Sequence, residues 1–419
     1  MSIKFLPNKS TNRRGIKINA CILLFGITIL ISCNFNGNKK NQETAERQPI
    51  ELPAPLPFNN AESLRIAKAC NNWYDSTLGS IGLNGGILIA QNGTILYEKY
   101  NGTGHLPGKD SINANTPVHI ASVSKTFTAM GILLLKQEGK LHLEDELSKY
   151  FPSFNYPGVT IRTLLNHRSG LPNYIYFMEN LGWDKNQMVT NEDVLQYLIT
   201  KKPAIQNIAT PNTHFSYCNT NYALLALLIE KISKKKYAAF LKDNFFIPLG
   251  MKNSFVFDLS MSKDVSPSYN WKNDVIVFNF LDNVYGDKNI YTTPRDLLQW
   301  ERLLHSNLIF SKETLAEAYS PYSNEKNGNR NYGLGWRMTF FPNGKKIIYH
   351  NGWWHGNNAV FIRMPDENAC IIVMGNKFNR GLYKARQLCT LFGAYSTEPD
   401  EEETESTKPM EKASVGKEK

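Results

Sequence analysis

The stretch that most constrains this chain is Ala121-Ser122-Val123-Ser124-Lys125-Thr126-Phe127, which opens an apolar segment running from Phe127 to Leu135. Its spacing predicts a helix with Ser122 and Lys125 one turn apart on the same face. A serine hydroxyl is a weak nucleophile until a neighbouring base takes its proton. A lysine amine can be that base when its surroundings lower its pKa. Backbone N–H groups at a helix start also point towards developing negative charge. The same letters fit an N-cap serine followed by a surface lysine, so the rest of the chain has to decide.

The 419 residues allow one large domain or two moderate ones. Residues 1–32 read as an export signal of the lipoprotein kind. Lys4, Lys9, Arg13, Arg14 and Lys17 precede the mostly apolar run Ile18 to Ile31, which is short for a membrane span and suits a signal core. It ends Leu30-Ile31-Ser32-Cys33, which resembles a bacterial lipobox, with Cys33 as the lipidated residue. An uncleaved anchor with a chance cysteine is the other reading, and both place the domain outside the cytoplasm. The expectation is a cell-envelope protein tied to a membrane through lipid. Those five basic residues account for half of the net charge of +10, so the remaining chain gives no argument for nucleic acid. Residues 33–60 are polar and then Pro-rich, as a tether would be, and 396–419 is a charged tail without periodicity. Cys70, Cys218, Cys370 and Cys389 lack metal spacing and are expected to be free and mostly buried.

The body, 61–395, starts with an expected helix from Ala61 to Leu78. Two β-rich runs then flank the turn signal Asn92-Gly93, which predicts a hairpin. Helical periodicity marks Asn191 to Thr200, Tyr222 to Lys231 and Thr293 to Leu304. Strand patterns return at Lys346 to Tyr349, Ala359 to Arg363 and Ala369 to Met374, before an expected last helix from Leu382 to Phe392. The expected class is α/β of the α+β kind. An antiparallel sheet from N- and C-terminal strands, flanked by helices, encloses a large, mainly helical insert over about 126–340.

Three further stretches bear on the serine. Tyr217-Cys218-Asn219 precedes a helix: a tyrosine hydroxyl can relay protons beside cations, and an asparagine amide suits an amide substrate. A buried aromatic and a helix cap would look the same. His350-Asn351-Gly352 ends a strand, where Gly352 permits close approach of another backbone or a ligand and His350 can meet a carboxylate. A strand-end turn with a solvent-facing histidine is the plainer reading. In Leu164-Leu165-Asn166-His167-Arg168-Ser169-Gly170-Leu171-Pro172, His167 invites a Ser-His-Asp triad, but no Gly-x-Ser-x-Gly elbow exists in the chain. His167 is read as a structural hydrogen-bonder.

The order Ser-x-x-Lys, Tyr-x-Asn, strand-end x-x-Gly resembles the serine β-lactamase and penicillin-binding fold, in its class C branch. That branch also includes D-alanyl-D-alanine peptidases, D-aminopeptidases and carboxyl esterases. Flanking text agrees: the His167 run, Phe215 to Tyr222, Pro248-Leu249-Gly250-Met251, Thr293-Pro294-Arg295-Asp296-Leu297 and Tyr332-Gly333-Leu334-Gly335-Trp336. The resemblance implies that Ser122 is acylated and that Lys125 and Tyr217 relay the proton. It implies that Asn219 orients the substrate amide or helps the relay, that the N–H groups of Ser122 and Trp353 form an oxyanion hole, and that His350 recognises the leaving side or a carboxylate. Where the lactamases carry Lys-Thr-Gly, this chain has His350-Asn351-Gly352, which is nearer the peptidase members. Such a histidine would change charge between about pH 5 and 8. Trp353 and Trp354 add bulk at the pocket rim or are packing.

The expected function is hydrolysis of an amide or ester through an acyl-enzyme. Candidate substrates are cell-wall-type peptides, D-amino-acid peptides and small esters. A true β-lactamase and a silent protein that only holds a cell-wall peptide are the alternatives. No cofactor or metal is implied.

Overall fold

The computed structural model describes residues 47–79, 82–104, 110–205, 208–325 and 328–395. The expected signal (1–32), Cys33 and the tail (396–419) lie outside them. Among the described residues no helix is long and apolar enough to cross a membrane.

The two β-rich runs around Asn92-Gly93 form a hairpin of β1 (Gly85–Gln91) and β2 (Thr94–Asn101). Asn92 and Gly93 both take positive φ, as the tight turn requires. Late in the chain come β3 (Arg330–Tyr332), β4 (Arg337–Phe340), β5 (Lys346–Trp354), β6 (Asn357–Met364) and β7 (Ala369–Gly375). All seven join one antiparallel sheet in the order β2-β1-β7-β6-β5-β4-β3. The terminal strands therefore meet at the β1–β7 pairing, where Gly85 faces Gly375.

Strand periodicity then divides the interior in two. Leu88, Ala359, Phe361, Ile372 and Met374 point into a core shared with the helical half. Ile87, Ile89, Val360, Ile362, Ile371 and Val373 point into a second core. The second core is closed by α1 (Asn60–Tyr74) through Ile66, Cys70 and Tyr74, and by the C-terminal helix Arg380–Leu391 through Leu382, Ala385 and Leu388. The Asn59 side chain caps α1 by accepting from Ala61 N–H at 2.9 Å. The helix ends at Tyr74, short of the expected Leu78, because the chain passes into a π turn over Asp75–Gly79. All four cysteines of the body are free and buried.

The helical half contains α2 (Ser124–Gln137), α3 (Asn219–Ser233) and α4 (Pro294–Ser306). It is less purely helical than its periodicity suggested. A ribbon of Val118–His119, Ile290–Thr292 and Phe255–Val256 runs through it. The sheet also resumes at Arg330, ahead of the expected end of the insert near 340. Nor is the expected tether loose to residue 60. From Arg47 it straps the body: Ile50 N–H donates to Pro248 O at 2.8 Å and Leu56 N–H to Asn92 O at 3.1 Å. Ile50 and Leu52 pack on the core, so this Pro-rich segment is ordered by apolar contacts that its composition hides.

One buried ion pair clamps the sheet to the helices. Arg363 on β6 meets Glu301 on α4, both almost fully buried, with Tyr319 accepting from the same guanidinium. Removing one partner leaves the other charge stranded. Glu301→Gln is therefore expected to cost about 3–5 kcal/mol in chemical denaturation. Exchanging both residues for apolar ones of similar size should cost clearly less.

Candidate active site

The site forms where α2 begins. His119 and Ile120 leave the ribbon strand, and a single 3₁₀ turn, Ala121–Val123, leads into α2. Ala121 adopts a left-handed backbone, φ 47°. For a residue with a Cβ this costs on the order of 1–2 kcal/mol, so the surroundings must impose it. They do so through hydrogen bonds: Ala121 N–H to His119 Nδ1 at 3.2 Å, Ile120 N–H to Ile290 O at 3.0 Å, and Ile290 N–H to Ser124 Oγ at 3.1 Å.

Lys125, on the first turn of α2, is fully buried. Its Nζ donates to Ser122 Oγ at 3.0 Å and to the backbone carbonyl of Asp287 at 2.8 Å. Burial pulls its pKa down to about 7, helped by the charge of Arg337 and opposed by that of Asp287. The amine is thus ready to take the serine proton near neutral pH. The carbonyl that holds it belongs to a loop wedged between two helices. Gly286 has φ 93°, and a Cβ there would lie 2.5 Å from Tyr222 O on α3. On the other side, Thr128 Oγ1 of α2 donates to Gly286 O at 2.6 Å.

Tyr217 arrives from the start of α3. Lys125 Nζ lies 4.9 Å from its ring centroid, and the Arg337 guanidinium lies 5.0 Å from the same ring. His167 sets this approach. Its Nδ1 accepts from Cys218 N–H at 3.1 Å, and its carbonyl accepts from Ser216 N–H at 2.9 Å, so Tyr217 is gripped on both sides. Burial holds His167 neutral, which makes it the structural hydrogen-bonder that the sequence indicated. Asn219 opens α3, and its buried Oδ1 has no hydrogen-bond partner, which leaves an acceptor available at the site.

The third side is β5. Its pairing with β4 stops at Tyr349 opposite Arg337, so the edge from His350 onwards is open on that side. The nucleophile turn comes up against this edge. A Cβ on Gly352 would sit 2.2 Å from Ile120 O and 3.1 Å from Ser122 N. Only glycine lets the two backbones approach this closely, which puts the N–H region of Ser122 next to that of Trp353. The Trp353 side chain is 36% exposed, against Phe378. Trp354 instead points inward and donates to Asp282.

His350 does not behave as its place in the motif suggested. It is 1% exposed. Its Nδ1–H donates to Asn351 O at 2.7 Å and its Nε2 accepts from Tyr332 OH at 3.2 Å, a neutral tautomer with both nitrogens used. Burial, then the charges of Arg337 and Lys125, hold its pKa well below the usual range. Burial and the two occupied ring nitrogens therefore favour a neutral His350 over the expected charged one. The cation at this end is Arg337, on β4, directly after the Tyr332 to Trp336 run; nothing local in the sequence marks it, nor Asp287 and Lys288 in their loop.

The structure thus gathers Ser122, Lys125, Tyr217, Asn219, His350, Gly352 and Trp353 in one region. The β-lactamase family model matches residues 79–388. A penicillin-binding protein of Bacillus subtilis (strain 168) is 33% identical over 313 residues, 70% of this chain and 68% of that protein. Among solved structures, a penicillin-binding protein from Bacillus halodurans is similar with a TM-score of 0.65 at 21% identity, over 80% of this chain and 98% of that one. The D-amino acid amidase of Ochrobactrum anthropi SV3 is similar with a TM-score of 0.61 at 20% identity, over 80% and 96%. The chain belongs to the β-lactamase family. Its coarse class is that of a serine hydrolase.

Two outcomes follow from this geometry. Gly352→Ala should lower turnover by at least ~100-fold, the scale of a lost oxyanion donor, and should also lower Tm. Lys125→Met should be inactive yet more stable. The folded pKa of Lys125, about 7, lies below that of an unfolded lysine. Below pH 7 both states carry the proton and the fold bears the full burial cost, at most roughly 5 kcal/mol at about 1.4 per pKa unit. Above pH 7 the unfolded state holds more protons, so wild-type stability rises with pH. The Tm advantage of Lys125→Met should therefore be largest at or below pH 7 and vanish towards pH 10.

Proposed function

We propose that the protein hydrolyses amide or ester bonds through an acyl-enzyme on Ser122, with peptide-like substrates that carry a carboxylate as the preferred class. The observation that carries this reading is the 3.0 Å contact between the buried Lys125 amine and Ser122 Oγ, with no carboxylate among the described residues hydrogen-bonded to that amine. In this reading Lys125 takes the Ser122 proton as Oγ attacks the carbonyl carbon, and the carbonyl oxygen gains the electron pair beside the Ser122 and Trp353 N–H groups. Lys125 and Tyr217 then deliver the proton to the leaving nitrogen or oxygen, and water repeats the sequence to release the acid. Asn219 Oδ1 accepts from the substrate amide. Arg337 supplies the fixed positive charge for the substrate carboxylate, a role the neutral His350 is not built to fill.

Labelling with a fluorophosphonate or a fluorescent penicillin tests the reading. The expected result is one adduct, on Ser122, lost in Ser122→Ala and in Lys125→Ala, with the double variant little worse than either. No adduct and no turnover of a chromogenic cephalosporin, a nitrophenyl ester or a D-alanyl-D-alanine peptide would leave the silent binding protein. Fast cephalosporin turnover alone would favour the true β-lactamase. Arg337→Gln should raise KM for the carboxylate-bearing peptide by ~10-fold or more, a loss of about 1.4 kcal/mol, and leave a neutral ester nearly unaffected. KM for both should show no step attributable to His350 between pH 5 and 8. We also infer that Cys33 carries the lipid, from the run Leu30-Ile31-Ser32-Cys33 behind a basic segment. Cys33→Ala should block processing, and a mature wild-type protein free of the membrane with an N-terminus other than residue 33 would overturn this.

A further inference from the structure

The loop that holds Lys125 carries a second buried lysine. Lys288 and Asp287 have side chains only 3% and 1% exposed, and Lys288 Nζ lies 3.6 Å from Asp287 Oδ1. Tyr174 bridges them, accepting from Lys288 and donating to Asp287 Oδ2 at 3.0 Å. Lys288 Nζ also lies 4.8 Å from the Trp354 ring centroid. The carbonyl of the same Asp287 accepts from Lys125 at 2.8 Å. One residue thus turns a neutral carbonyl to the base, while one oxygen of its carboxylate accepts from Tyr174 and the other, without a hydrogen bond, faces Lys288 at 3.6 Å.

This arrangement answers an electrostatic difficulty. A buried carboxylate close to a buried amine stabilises the ammonium form, because the low dielectric strengthens their attraction. An amine that keeps its proton cannot act as a base. Around Lys125, Arg337 on β4 drives the proton off and Asp287 draws it on. Tyr217, Cys218 and Tyr222 face it from α3 and its approach, and His167 and His350 stay neutral beside it. Burial lowers the pKa of Lys288, and the charges of Asp287 and Asp282 oppose that and favour its ammonium form; Asp282 in turn binds Trp354 and His355.

We propose that Lys288 is a positioning residue for the reaction: with Tyr174 it neutralises the Asp287 carboxylate from the side away from the serine, so that carboxylate does not hold a proton on Lys125. Lys288 does not touch Ser122 and acts through Asp287. The inference rests on the serine-hydrolase reading above only for its kinetic consequence; the effect on Lys125 is a property of the cluster itself.

Two readouts test it on the full chain: the pH dependence of Ser122 acylation by a fluorophosphonate, and the titration of Lys125 followed by NMR with lysine labelled at Cε. Lys288→Met should move the Lys125 titration and the acid limb of acylation up by one pH unit or more. Acylation would then be at least ~5-fold slower at pH 7 and close to wild type on the alkaline plateau. Asp287→Asn should move both the other way. The double variant should return to within a few tenths of a unit of wild type, and Lys288→Arg, which keeps the charge and is the fallback if Lys288→Met folds poorly, should hardly shift them. A Lys125 titration unchanged in Lys288→Met, with a plateau lowered uniformly, would overturn the inference and leave Lys288 a packing role. Absence of any Ser122 adduct in the wild type would instead sink the hydrolase reading, while the NMR titration would still decide this one.

Discussion

The structure depends on burying one amine. Lys125 Nζ donates to a hydroxyl and a carbonyl, and no carboxylate among the described residues is hydrogen-bonded to it. Burying a lysine in this way opposes folding, because desolvation penalises the charged form. The apolar body of α2 supplies the compensation. Phe127, Ala129, Met130 and Ile132 to Leu135 are all buried in the larger core and fix the helix whose first turn carries the lysine. The choice of partner matters as much as the burial. A carboxylate in place of the Asp287 carbonyl would return the proton to the amine, whereas a peptide carbonyl satisfies the N–H groups with only a dipole.

Around that amine the fold brings together segments distant in sequence, each held by a different device. The nucleophile turn is forced into a left-handed step at Ala121 by hydrogen bonds to the ribbon. The Asp287 loop is wedged between α2 and α3, with glycine at its tightest point. Tyr217 is hung from His167. The sheet contributes an open edge: because β4 stops pairing at Tyr349, β5 has backbone to offer the serine turn, and Gly352 lets that turn in. An error of about 1 Å in any one of these would separate groups whose chemistry works only within hydrogen-bond reach.

How much of this was legible in the letters follows from how local each cause is. The alternation in β1, β6 and β7 is period two with both faces apolar, so these strands and their pairing could be read, and the structure divides their side chains between two cores as that pattern requires. Ser122, Lys125 and Tyr217 were marked by spacing and order, and the structure places them together. Arg337 left no mark, because its importance comes from β4 lying beside β5, a tertiary fact. His350 misled for the same reason: its charge state is set by burial and by Tyr332 and Arg337, none of which its own neighbours in sequence reveal. The strap at 47–58 looked like a tether since prolines dominate it, while its apolar anchors, Ile50, Leu52 and Phe58, are too few to form a pattern.

The exchange of charge between His350 and Arg337 has a consequence for how the site responds to pH. A lysine or a charged histidine on β5 would be a second titrating cation a few ångströms from Lys125, and the two would release protons as a coupled pair. A neutral His350, locked by Asn351 and Tyr332, removes that coupling. The positive charge supplied instead by Arg337 does not titrate in the accessible range. It can therefore attract a substrate carboxylate and push the proton off Lys125 at once, at every working pH. Under the proposed function, the acid side of the reaction would then be governed by Lys125 and by whatever sets the field of Asp287 upon it, with substrate charge recognition on a group that cannot switch and proton transfer on a group that can.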